Sequence, residues 1–199
     1  MKNHFKPRQL TLLGLLTALL LILSFTPLGY LRIGPLSATL NMIPVGVAAI
    51  ALGPTGGAFT GAVFGLTSFV SALTGGSAMG TMLMSIDPVL TFVQCFVPRL
   101  LMGVSIGLLH KGLSKVLKNG AACFVTGFGA AFLNTLFFMT SLVLLFGNTE
   151  YLQSMIGGQN VILFMCAFVG VNAVFEIACS TVIVGVLGKT LEKAHLLGR

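Results

Sequence analysis

Residues 87–111 read DPVLTFVQCFVPRLLMGVSIGLLHK, and this stretch decides the fold. Asp87 followed by Pro88 is a helix start: the carboxylate can cap open backbone N–H groups, and proline suits the first turn. The run that follows is almost wholly apolar until His110 and Lys111, long enough to cross a bilayer at about 20 residues per span. Gln94 and Arg99 interrupt it. A charge placed in hydrocarbon is costly unless it faces the interior of a helix bundle, so Arg99 predicts both a membrane bundle and a polar centre inside it.

The rest of the chain has the same character. Its 199 residues are 56% hydrophobic and 8% charged, against about 25% charged residues in soluble domains. A mean hydropathy of +1.03 over the whole length leaves no room for a separate soluble domain. The expectation is an all-α integral membrane protein, one transmembrane domain over residues 1–199. Its six spans are placed at about 10–25, 38–53, 55–73, 88–110, 121–146 and 161–188. Gly53-Pro54 separates the second span from the third. The basic start, Lys2, Lys6 and Arg8 before an apolar run, resembles a signal peptide; with no small-x-small cleavage site after it, it reads as a retained first span.

The net charge of +7 does not point to nucleic acid, because the basic residues are distributed by side of the membrane. Lys2, Lys6, Arg8, Lys111, Lys115, Lys118, Lys189, Lys193 and Arg199 fall on one side and Arg32 on the other. Positive charge concentrates in the cytoplasm, so both termini are expected there, in a multi-pass membrane protein with an even number of spans. Residues 26–37, 74–87 and 147–160 then form the outer loops, rich in Gly, Pro, Ser and Thr. They read as a lid or as plain connectors.

Four polar side chains share one depth. Arg99 lies about 18 Å below Asp87 at 1.5 Å per residue. Asn134 falls mid-span, and Asn172 with Glu176 falls a similar distance along the last span, four residues apart and so on one helix face. Gln94 lies higher, and Asn41 near the outer end of the second span. Glu176 is the natural counter-ion for Arg99. The pair reads either as a clasp between helices or, with Asn41, Gln94, Asn134 and Asn172, as a substrate site.

Glycine supplies the packing. Gly57, Gly61 and Gly65 recur every fourth residue, as do Gly103 and Gly107, and Gly14 with Ala18. Small residues at this spacing let helix backbones approach closely in lipid. The four cysteines, Cys95, Cys123, Cys166 and Cys179, lack any CxxC spacing and read as small apolar side chains.

Enzymatic chemistry finds no footing. His4, His110 and His195 lie at span ends or tails, so no buried nucleophile–His pairing is suggested. No two of the four carboxylates adjoin, and neither a metal nor a cofactor is expected. Gly188-Lys189-Thr190 lacks the first glycine of a phosphate loop, Ile183 standing in its place, and ends a helix where it should begin one.

The order of motifs carries a resemblance. Thr26-Pro-Leu-Gly-Tyr30, Ile33-Gly-Pro35, Asn41-Met-Ile-Pro44, Leu52-Gly-Pro-Thr-Gly-Gly-Ala58 and Gly61-Ala-Val-Phe-Gly-Leu-Thr-Ser68 are followed by Val97-Pro-Arg-Leu-Leu-Met-Gly103, Asn134-Thr135 and Asn172-Ala-Val-Phe-Glu176. Together they resemble the substrate-binding S components of energy-coupling-factor (ECF) vitamin transporters, over nearly the whole chain. The resemblance implies high-affinity binding of a vitamin or precursor in the outer half of the bundle. It also implies association with a membrane T component and two ATPase subunits that power uptake, and toppling in the bilayer to release cargo. Gly14-x-x-x-Ala18 matches the position of the family's T-component contact, with Gly in place of the usual first Ala.

Leu40-Asn-Met-Ile-Pro44 and Phe64-Gly-Leu-Thr-Ser-Phe69 look most like the pantothenate-type branch. The chain has no Trp and two Tyr, which offers little stacking surface for thiamine or biotin, whereas its 16 Phe leave riboflavin open. Pyridoxine and hydroxymethylpyrimidine also remain open. A hydroxylated carboxylate would take a cation, Arg99 or Arg32, with amide partners. Two other classes stand beside this one: an autonomous secondary transporter, and a structural bundle with an Arg–Glu clasp.

Overall fold

The computed structural model describes residues 7–26, 30–33, 36–117, 119–158 and 160–194. Lys2, His4, Lys6, Lys118, His195 and Arg199 lie outside them, as do the side chains of Tyr30, Arg32 and Cys166. In chain order the elements are α1 (Pro7–Phe25), β1 (Tyr30–Ile33), β2 (Leu36–Thr39), α2 (Met42–Leu73), α3 (Ala78–Ile86), α4 (Pro88–Val116), α5 (Asn119–Phe146), α6 (Glu150–Ile156) and α7 (Val161–Lys193). Among the described residues, α1, α2, α4, α5 and α7 are the five helices long and apolar enough to cross a membrane. The protein is an all-helical membrane bundle apart from one short strand pair.

α2 covers both the second and the third expected spans. Its continuity is broken at Gly53, whose φ of 71° and ψ of −161° are non-helical and suit a residue with no Cβ. Pro54 follows in the first turn of the next arm. The arms fold back on each other: a Cβ at Gly57 would lie 3.1 Å from the Ala49 Cβ. Eight residues along a straight helix would separate the two by about 12 Å.

The second arm of α2 packs on α4 through facing glycines. A Cβ at Gly57 would strike the Gly103 carbonyl, one at Gly61 the Arg99 carbonyl, and one at Gly65 would come within 2.8 Å of the Phe96 Cα. At Gly107 it would meet Pro54. Backbone therefore touches backbone along the seam, the close approach that glycine stripes permit in lipid. Phe69, Phe92 and Phe96 continue the contact as an aromatic ladder, with centroids 5.1 and 5.4 Å apart. Beyond the seam, Leu20, Met42, Val45, Phe64, Met102 and Ile106 fill the middle of the bundle.

The three loops expected on the outer side all contain regular structure. Residues 30–39 form an antiparallel pair with Tyr30 opposite Thr39 and Ile33 opposite Leu36. α2 accordingly starts at Met42 and not at 38, because 36–39 pair as a strand with 30–33. α3 is started by Ser77, whose Oγ accepts the Gly80 N–H at 3.1 Å. α6 is started by Thr149, whose Oγ1 accepts the Leu152 N–H at 3.3 Å, and is ended by Gly157 at φ 59°. Both short helices bury apolar faces on the end of α5: Leu83, Leu152 and Ile156 join Met139, Leu142 and Phe146 in one cluster. The Asp87 cap forms as expected, with Oδ1 accepting from Val89 N–H at 2.8 Å and Leu90 N–H at 3.0 Å.

Candidate functional site

Where α4, α5 and α7 diverge from the second arm of α2, they leave a cavity of ≈ 180 Å³. Each helix contributes polar groups to a different wall. Ser68 and Ser71 come from α2, Gln94 and Arg99 from α4, Asn134 and Thr135 from α5, and Asn172 and Glu176 from α7. Thr39 of β2 and residues 76–80, which lead into α3, close one side. Phe64, Phe138 and Met139 supply apolar surface.

Five of the six candidate substrate residues thus meet in one place. Asn41 is not among those lining the cavity. It sits fully buried at the start of α2, where its own N–H donates to Thr39 Oγ1 at 3.3 Å. The shared depth of Arg99, Asn134, Asn172 and Glu176 was readable from helix counting. Thr39, Ser68, Ser71 and the 76–80 segment were not, because their recruitment depends on how the connecting segments fold over the bundle. The cap residue Ser77 was the available signal for α3.

Arg99 and Glu176 each also bond to the main chain. Arg99 is half-buried; its Nη1 donates to the Gln94 backbone carbonyl at 2.8 Å, and its guanidinium lies over the Phe138 ring at 4.5 Å. Such placement on an aromatic face keeps a cation stable away from water. Glu176, 6% exposed, accepts the Thr39 N–H on Oε1 at 2.7 Å. That bond ties the strand pair to α7 across the side of the cavity. Gln94 is wholly buried, and its Nε2 donates to the Phe138 carbonyl at 3.0 Å.

The chemistry available is recognition of a small polar solute. A guanidinium can hold a carboxylate, carboxamides and hydroxyls can hold hydroxyl and amide groups, and the aromatic and thioether surface can hold an apolar middle. Among the described residues, no group of three His, Cys, Asp or Glu side chains gathers to hold a metal. Cys95 and Cys123 are buried thiols and Cys179 a half-buried one.

On α1, Gly14 and Ala18 lie exposed, and a Cβ at Gly14 would meet nothing within 4 Å. Leu10, Leu15 and Ile22 of the same helix are also exposed.

Comparison with known proteins agrees with this architecture. The chain is 30% identical over 194 residues to the pantothenate transporter PanT of Leuconostoc mesenteroides, covering 92% of this chain and 91% of the relative. It is 28% identical over 171 residues to the pantothenic acid transporter PanT of Lactococcus lactis subsp. cremoris, covering 81% of each. The family model for the substrate-specific component of ECF transporters matches residues 8–188, almost the full span from α1 to α7. An apolar bundle enclosing a polar, solute-sized cavity, matched end to end by that model, belongs to the family of ECF transporter substrate-specific components.

Proposed function

We propose that the protein binds pantothenate in the cavity and delivers it through an ECF importer powered by partner ATPases. The observation that carries the reading is Arg99 in a cavity also lined by the Asn134 and Asn172 carboxamides, the Ser68, Ser71 and Thr135 hydroxyls, the Glu176 carboxyl group and two phenyl rings. Pantothenate has one carboxylate, one secondary amide, two hydroxyls and a dimethyl-bearing carbon, and each finds a complementary group there. The names of the two relatives support the same ligand. Arg99 holds the carboxylate, while Asn134, Asn172 and Glu176 take the hydroxyl end.

In this reading the two arms of α2 count as separate spans, making six, with both termini cytoplasmic, which the distribution of basic residues supports. Asn41 supports the cavity from behind Thr39. The exposed Gly14–Ala18 face of α1 docks on the membrane T component, and two ATPase subunits supply the energy.

Calorimetric titration of the detergent-purified chain tests the ligand. The expected result is one saturable, submicromolar isotherm for pantothenate, with none of that affinity for riboflavin, pyridoxine, hydroxymethylpyrimidine or folate. A folded chain that is silent toward pantothenate overturns the assignment, and a hit elsewhere in the panel replaces it.

A further inference from the structure

Gln94 is a buried polar side chain that, among the described residues, is left half used. Its Nε2 is committed to the Phe138 carbonyl at 3.0 Å. A carbonyl can only accept, so this bond settles which end of the amide is nitrogen. The other end, Oε1, is buried and has no hydrogen-bond partner among the described residues. Leaving such an acceptor unsatisfied away from water costs roughly 1–3 kcal/mol, and native structures retain few of them without a use. Gln94 lines the cavity, so a bound molecule can supply the missing donor.

The position of that acceptor relative to Arg99 narrows the donor. Arg99 turns back along α4 to donate to the backbone carbonyl of Gln94 itself. Both side chains then converge on one residue of α5, Arg99 on the Phe138 ring and Gln94 on the Phe138 carbonyl. The guanidinium and the Gln94 amide therefore both lie against Phe138. A ligand that meets both carries its anion and an N–H or O–H donor a few bonds from each other. In pantothenate the group at that separation is the secondary amide N–H, two methylenes from the carboxylate; the hydroxyls lie further along.

We propose that Gln94 is a specificity-determining residue whose side-chain carbonyl accepts the ligand's amide N–H while Arg99 holds its carboxylate. This rests on the pantothenate reading and adds to it an orientation: carboxylate and amide against α4 and α5, hydroxyl end toward α7.

The test pairs a change in the ligand with a change in the protein. Pantothenate is titrated against its ester analogue, in which oxygen replaces the amide N–H, using wild type, Gln94→Met and Gln94→Glu. Methionine conserves volume and removes the acceptor. The Phe138 carbonyl keeps a side-chain donor in that variant, because Ser141 Oγ also bonds it at 3.0 Å. Wild type is expected to prefer the amide by ~30-fold, Gln94→Met by ~3-fold or less, as for gain or loss of one partnered buried acceptor. Gln94→Glu keeps an acceptor and is expected to keep the preference, at lower affinity for any anion. An amide-to-ester ratio below ~3-fold in wild type, or one unchanged in Gln94→Met, overturns the assignment of Gln94 while leaving the pantothenate reading intact. If Gln94→Met does not fold, a wild-type ratio below ~3-fold, or a Gln94→Glu variant that loses the preference, still overturns the assignment. No binding of pantothenate by folded wild type overturns the ligand reading and this orientation together.

Discussion

Two sets of small residues recur at the same four-residue spacing, and the molecule uses them in opposite ways. Gly57, Gly61 and Gly65 are sealed against α4, where an added Cβ would collide with the main chain of Gly103, Arg99 or Phe96. Gly14 and Ala18 on α1 stand open, with nothing within 4 Å of a Cβ at Gly14. The spacing says that a backbone can come close. It does not say whether that backbone belongs to the same chain. The sealed stripe also touches the site, because the carbonyl against Gly61 belongs to Arg99, whose side chain enters the cavity.

The strongest way to break the comparison is Gly61→Leu. The side chain must displace the α4 backbone at Arg99, so a loss of about 3 kcal/mol or more is expected, with pantothenate binding lost alongside. Thermal unfolding in detergent, read beside calorimetry, checks both. A variant with wild-type melting would show that the seam can open without cost.

Arg99→Met separates the seam from the cavity, since it leaves the carbonyl facing Gly61 in place and removes the cation. Pantothenate affinity should fall by ~30-fold or more, the loss expected for a charge-assisted partner of a carboxylate, and Arg99→Lys should recover part of it. Equal affinity in Arg99→Met would remove Arg99 from the site.

Glu176→Gln is milder. The Thr39 N–H keeps an acceptor but loses the charge, which should cost about 1 kcal/mol and loosen the strand pair over the cavity. Faster hydrogen exchange at residues 36–39, with the rest of the bundle unchanged, is the expected signature. Protection unchanged at those amides would show that the Thr39 bond does not hold the pair.

Gly14→Leu should have the smallest effect on the isolated chain. Stability is expected within about 0.5 kcal/mol of wild type, as for a substitution that meets no neighbour, and pantothenate affinity should be unaltered. Uptake into vesicles reconstituted with the T component and ATPases should fall. Full uptake by Gly14→Leu would mean that the open face has no partner there.

Much of the bundle was legible because its signals are local. Apolar length marks a span, Asp87-Pro88 caps α4, and Gly53-Pro54 marks the fold between the arms of α2. Arg99, Asn134, Asn172 and Glu176 could be set at one depth because helical rise is constant. The strand pair at 30–39 was hidden by short length, and α3 and α6 by composition, since seven to nine residues carry too little periodicity to stand out from a loop.

Sequence alone determined the class of the molecule and five of the polar residues that line its cavity, since burial of charge in an apolar chain admits few arrangements. The tertiary structure decided how those residues are used. Whether Gly14 or Gly61 has a neighbour, which ring lies under Arg99, and which carbonyl receives Gln94 all depend on the distance between helix backbones. That distance is set jointly by side-chain volumes on separate helices, and no single stretch of the chain contains it.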